Sequence, residues 1–126
     1  MAPGARGSLV LLLALAATQG SARATASAPH AKLVYFVDPE AADCPSADAF
    51  RAAVRARAGH ELFGEPSDLT IDVTLRRDAD AYLAILGLPD ASGRATRELR
   101  STVGCGELAT AAALVVSIAL DPESLL

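Results

Sequence analysis

Cys44 and Cys105 are the residues of this 126-residue chain whose type and spacing bear most directly on chemistry. Two cysteines can form a redox pair, half of a metal site, or a structural disulfide. A redox pair usually stands as Cys-x-x-Cys, and a separation of about 60 residues is nothing like it. A metal site needs two further ligands, and His30 and His60 are the only histidines. In an exported chain, two cysteines well inside the domain most simply bond to each other. Closing such a loop stabilises a fold by roughly 4 kcal/mol, less any strain.

The remaining polar groups make weaker cases. His60 stands beside Glu61, and an imidazole next to a carboxylate can do acid–base work. The plainer reading is a loop residue near a helix carboxyl end, where a cation is favourable anyway. Ser67, Ser92 and Ser101 sit in ordinary turn contexts and build no Ser-His-Asp set. Asp78, Asp80 and Asp90 lie in two hairpin turns with no Asp-x-Asp-x-Asp-Gly loop for calcium. No glycine run is suited to cradling phosphate. Arg94 and Arg100 share one strand face, but Glu98 lies between them, so these charges and Arg97 read as a solvated edge rather than an anion site. The sequence therefore assigns no catalytic residue, no cofactor and no metal ligand.

Compartment is more legible. Arg6 gives the first seven residues a positive charge, and Leu9 to Ala17 (LVLLLALAA) is an unbroken apolar run. Ser21-Ala22-Arg23-Ala24 then supplies the small-x-small pattern of a signal-peptidase site. Nine apolar residues fall far short of the about 20 that a membrane-spanning helix needs. Residues 1–24 are thus expected to be a cleaved signal peptide, with Ala26 and Ala28 as alternative cleavage points. The mature product is expected to be periplasmic or secreted, with no stable membrane insertion. Cleavage removes Arg6 and Arg23 and no acid, leaving 9 basic and 15 acidic side chains, a net charge of −6. With only five aromatic residues in addition, such a domain carries no footprint for nucleic acid, and anionic membrane surfaces are disfavoured too.

Residues 25–31 read as a frayed leader, 32–122 as the domain, and 123–126 as a tail. Lys32 to Val37 (KLVYFV) is a short β-branched and aromatic run, expected to be a strand buried on both faces. Asp43-Cys44-Pro45-Ser46 carries helix-start signals, with a proline suited to the first turn and a helix running to about Ala58 before Gly59. Leu69 to Arg76 alternates without fault and predicts a strand with one wet face. Ala81 to Leu88 is apolar on both faces and predicts a central strand, whereas Arg94 to Arg100 is charged and predicts an edge. A last helix from near Cys105 to Leu120 is stopped by Asp121-Pro122. The order β-α-β-β-β-α predicts an α+β two-layer sandwich, with both helices on one face of a mainly antiparallel four-stranded sheet. Each cysteine precedes or opens a helix, so this topology brings them to one rim, within bridging distance.

Cys44-Pro45, Gly93, Arg97-x-Leu99, Cys105-x-Glu107-Leu108 and Asp121-Pro122 together resemble an uncharacterised exported two-cysteine domain. That domain occurs in envelope proteins of high-GC Gram-negative bacteria, and the resemblance covers roughly residues 33 to 122. It implies no transferable activity. A Pro-rich linker and a larger β-rich segment often follow such domains. This sequence stops at Leu126, which reads as a free-standing or truncated version.

Two functions from different classes are expected on this basis. The first is a non-catalytic interaction module of the cell envelope, binding an envelope protein or a second copy through the final helix or the sheet edge. The alternative is a small secreted hydrolase or ligand-binding enzyme using His60. The final helix motivates the first, because no charge occurs between Leu108 and Leu120. Beyond one sheet-facing stripe, Ala109, Val116 and Leu120 form an apolar face, with Thr110 and Ser117 as a narrow polar strip. That face needs cover from the loop His60 to Ser67 (through Leu62 and Phe63), from a second copy, or from a partner.

Overall fold

The computed structural model describes Gly4 and residues 30–125; the expected signal peptide lies outside these residues. The elements are β1 (Ala31–Val37), α1 (Ala47–Ala58), β2 (Leu69–Asp78), β3 (Ala81–Asp90), β4 (Gly93–Ser101) and α2 (Cys105–Leu120). Single 3-10 turns follow β1 at Pro39–Ala41 and α2 at Pro122–Leu125. The sheet runs in the order β1-β2-β3-β4. β1 pairs in parallel with β2, and β2, β3 and β4 form an antiparallel meander. Parallel neighbours need a crossover, and α1 supplies it. The α+β order read from the sequence is the order observed.

Local signals explain where the elements begin and end. The Ser46 hydroxyl accepts from the Ala49 amide and caps α1. The proline expected inside the first turn stands just before this cap. Gly59 closes the helix at φ 81°, a left-handed conformation that costs glycine little. At the far end of α2, the Asp121 amide returns to the Ser117 carbonyl before Pro122 forbids continuation.

The core joins one sheet face to both helices. Leu33, Ile71, Val73, Leu75, Ala84 and Leu86 meet Phe50 and Val54 of α1 and the stripe Leu108, Ala112, Val116 of α2. α2 packs against α1 as well as against β3 and β4, so two sides of it are covered at once. This double cover is why the helix carries no charge between Leu108 and Leu120.

Four expectations need correction. β1 is an edge strand rather than a strand buried on both faces: Leu33 is buried, while Val34 and Phe36 are 44% and 54% exposed. A continuous apolar run is mute about which neighbour is missing. Ala31, placed in the frayed leader, is the fully buried first residue of β1. Its N–H donates to the Leu62 carbonyl and its own carbonyl accepts from Gly64. Ser117 lies in the core rather than on a polar strip, its hydroxyl donating to the Leu114 carbonyl at 2.9 Å. Finally, Ala109, Val116 and Leu120 are 4%, 0% and 6% exposed. The chain closes that face itself, with Leu62 and Phe63 buried in the same cluster.

Candidate functional site: the disulfide rim and the uncovered sheet face

Cys44 and Cys105 are bonded, with Cα atoms 5.0 Å apart and a sequence separation of 61. Cys105 opens α2 and is buried, while Cys44 lies in the loop leading into α1. Two tyrosines hold the residues on either side of Cys44. The Tyr35 hydroxyl on β1 donates to the Pro45 carbonyl at 2.6 Å. The Tyr82 hydroxyl on β3 donates to the Asp43 carboxylate at 2.5 Å. Three consecutive residues of one loop are thus tied to β3, α2 and β1 in turn. Burial pushes the Tyr35 phenol above its ordinary value. Tyr82 is raised chiefly by its hydrogen bond to Asp43, with burial and the Asp43 charge adding and Arg77 opposing. The tyrosines gave no functional signal in sequence, because nothing local says that residues 35 and 82 meet the loop at 43–45.

His60 lies at the other side of the helical layer. Its Nδ1 is 3.1 Å from the Ala58 carbonyl oxygen, and its Nε2 is 3.8 Å from the Asp121 carboxylate. Glu61 turns instead to Arg55 at 3.6 Å and accepts from the Phe63 amide. The sequence neighbours His60 and Glu61 therefore do not act on one another. Both imidazole nitrogens face groups that link the ends of α1 and α2. The three serines are occupied in their own turns. Ser67 Oγ donates to the His30 carbonyl and accepts from Leu69, Ser92 bonds Asp90, and Ser101 accepts from Val103. Among the described residues no group of three or more His, Cys, Asp or Glu side chains is placed to hold a metal ion.

The sheet face turned away from the helices divides in two. Across β2 to β4 it is charged and partly paired: Arg94 reaches over β3 to Asp72 and to the Thr70 carbonyl, and Arg100 reaches Asp78 at 3.1 Å. Gly87 permits the first crossing, since a Cβ there would lie 2.7 Å from the Arg94 guanidinium and 3.0 Å from the Asp72 carboxylate. Arg94 and Arg100 are thereby committed within the sheet, as a solvated edge would have them. Leu83, in register with Arg76 and Arg100, is buried on this face yet stands apart from the core cluster. On the β1 side no such pairing covers Val34 and Phe36, which stand in register with Asp72 and Thr74.

The two sheet edges differ in the same sense. β4 carries Arg94, Arg97, Glu98 and Arg100, charges that discourage another strand from adding. β1 carries a single charge, Lys32, and no proline. A shallow groove of about 340 Å³ also opens between α2 and the β3–β4 hairpin, bounded by Leu88, Val115, Ile118, Ala119 and Arg97. No described helix is long and apolar enough to cross a membrane. The chain matches no protein-family model and no curated protein.

Proposed function

We propose that this chain is exported and serves as a non-catalytic protein-interaction module of the cell envelope, folding with its disulfide closed in the periplasm or after secretion. The sequence supports export through its basic, apolar and small-residue segments in order. The disulfide is consistent with an oxidising compartment. The likeness to exported envelope domains supports the same reading.

One observation carries the interaction reading. β1 is an edge strand with Val34 and Phe36 exposed, beside a sheet face on which Arg94 and Arg100 are paired with Asp72 and Asp78. An unprotected apolar edge is a surface on which another strand adds readily. The contact surface is therefore assigned to β1 and not to the α2 face, whose residues are core.

The test is site-specific photo-crosslinking in living cells, with the full chain exported from a Gram-negative host. A photoreactive residue at position 36 should give discrete adducts, and one at the exposed α1 position Ala56 should give none. His60→Ala should leave those adducts unchanged. Unprocessed chain retained in the cytoplasm, or no adduct from position 36, would sink this reading. A catalytic phenotype of His60→Ala in a folded protein would favour the enzyme instead.

A further inference from the structure

We infer that β1 pairs with β1 of a second copy of this chain, in one antiparallel register centred on Tyr35. The inference rests on the interaction-module reading only in using the same strand, and it names the partner.

Backbone geometry fixes which groups are available. Along a strand, alternate residues turn both N–H and C=O to the same side. Ala31 turns both of its groups away from β2, to Leu62 and Gly64. The Asp38 amide turns towards β2, to Leu75. Leu33, Tyr35 and Val37 therefore present their backbone groups at the outer edge, where no strand of the sheet is paired. The segment at residues 62–64 already occupies the outer side of Ala31. The free edge is Leu33 to Val37, and its midpoint is Tyr35.

A two-fold axis through that midpoint sets Tyr35 opposite the partner's Tyr35, and Leu33 opposite the partner's Val37. These are hydrogen-bonded pairs, and together they satisfy every outward backbone group of the free segment. Sliding the pair to centre on Val34 would require the backbone groups of Ala31, which are already bonded.

The side chains of the uncovered face agree with this register. Val34 falls opposite the partner's Phe36, and Phe36 opposite the partner's Val34. These are non-hydrogen-bonded positions, where side chains approach most closely. The two large apolar side chains that β1 exposes thus cover each other, twice over. One step further out, Lys32 falls opposite the partner's Asp38. Lys32 is held in its own chain only by an exposed 3.8 Å pair with Glu65. Asp38 Oδ1 accepts from the Glu40 amide, which leaves Oδ2 for an opposite-charge pair at each end. Along the strand, Lys32, Val34, Phe36 and Asp38 form a self-complementary series, as an isologous interface requires. The net charge of the mature chain opposes self-association, and salt at physiological strength screens most of that repulsion.

The experiment begins with light scattering of the mature chain across a concentration series. The expected result is a reversible dimer. Phe36→Asp should weaken dimerisation by at least about tenfold, because each substitution acts twice in a two-fold pair. Phe36 is half exposed, so the variant keeps the fold, and circular dichroism checks this. Register is tested by mixing folded Val34→Cys chains with folded Phe36→Cys chains under mild oxidation. The mixture should form a disulfide-linked heterodimer faster than either variant links to itself. Faster self-linking of Val34→Cys would overturn the register. A wild type that stays monomeric, or a dimer indifferent to Phe36→Asp, would overturn the inference. A monomer whose position 36 still crosslinks to a different envelope protein would refute the self-pairing and leave the module reading standing.

Discussion

Replacing Cys44 and Cys105 together by alanine removes a closure that spans 61 positions of chain. In the chain-entropy treatment, a loop of that length costs the unfolded state about 14 cal/mol/K, or roughly 4 kcal/mol at 25 °C. A domain of this size unfolds with an entropy near 0.2 kcal/mol/K, so Tm should fall by about 20 °C. The folded form should survive at low temperature. Asp43 and Pro45 remain tied to Tyr82 and Tyr35, so the loop keeps its place without the bond. Small domains hold only about 5–15 kcal/mol in total, so the loss uses a large share of the margin. Thermal denaturation followed by circular dichroism, on the oxidised chain, the reduced chain and the double variant, measures this directly. The reduced chain and the variant should fall together. A drop of less than about 5 °C in both would refute the loop-closure account, and with it the view that the disulfide acts mainly on the unfolded state.

Three further outcomes follow from single residues. Val116→Asp buries a carboxylate at a fully enclosed position and should cost about 3 kcal/mol or more; a wild-type Tm for this variant would contradict the packing of α2. Ala79 sits at φ 56° in the β2–β3 turn, where an L side chain is strained, so Ala79→Gly should raise stability by about 0.5–1 kcal/mol, read from denaturant midpoints. The raised Tyr35 phenol means the native state holds that proton more tightly than the unfolded chain does. Its contribution is complete below the unfolded value of about 10 and is lost as pH climbs through the folded one, so Tm should decline more steeply above pH 10 in wild type than in Tyr35→Phe.

Much of the architecture is legible in the sequence, because it rests on local periodicity. The faultless alternation from Leu69 to Arg76, the apolar run from Ala81 to Leu88 and the charged run from Arg94 to Arg100 predicted a meander with β3 inside and β4 at an edge, and it is so arranged. Ser46 and Gly59 marked the ends of α1 by side-chain capping and backbone freedom, which are properties of single residues. The cysteine pairing was read from the signs of export and from the lack of a redox or metal pattern, and the order of elements agreed, since it brings both helix starts to one rim.

What the sequence left undecided was which apolar surfaces would find cover, and hence where the candidate interaction surface lies. Lys32 to Val37 and Leu108 to Leu120 are comparably apolar, and the excess surface was expected on the helix. In the fold, α2 is enclosed by the sheet and α1, while β1 keeps Val34 and Phe36 in solvent. The ties of Tyr35 and Tyr82 to the cysteine loop, and the reach of Arg94 over Gly87 to Asp72, join residues from 10 to 39 positions apart. Hydrophobicity and turn chemistry are written residue by residue and can be read in order. Burial is a property of neighbours distant in sequence, and only the packed chain decides it.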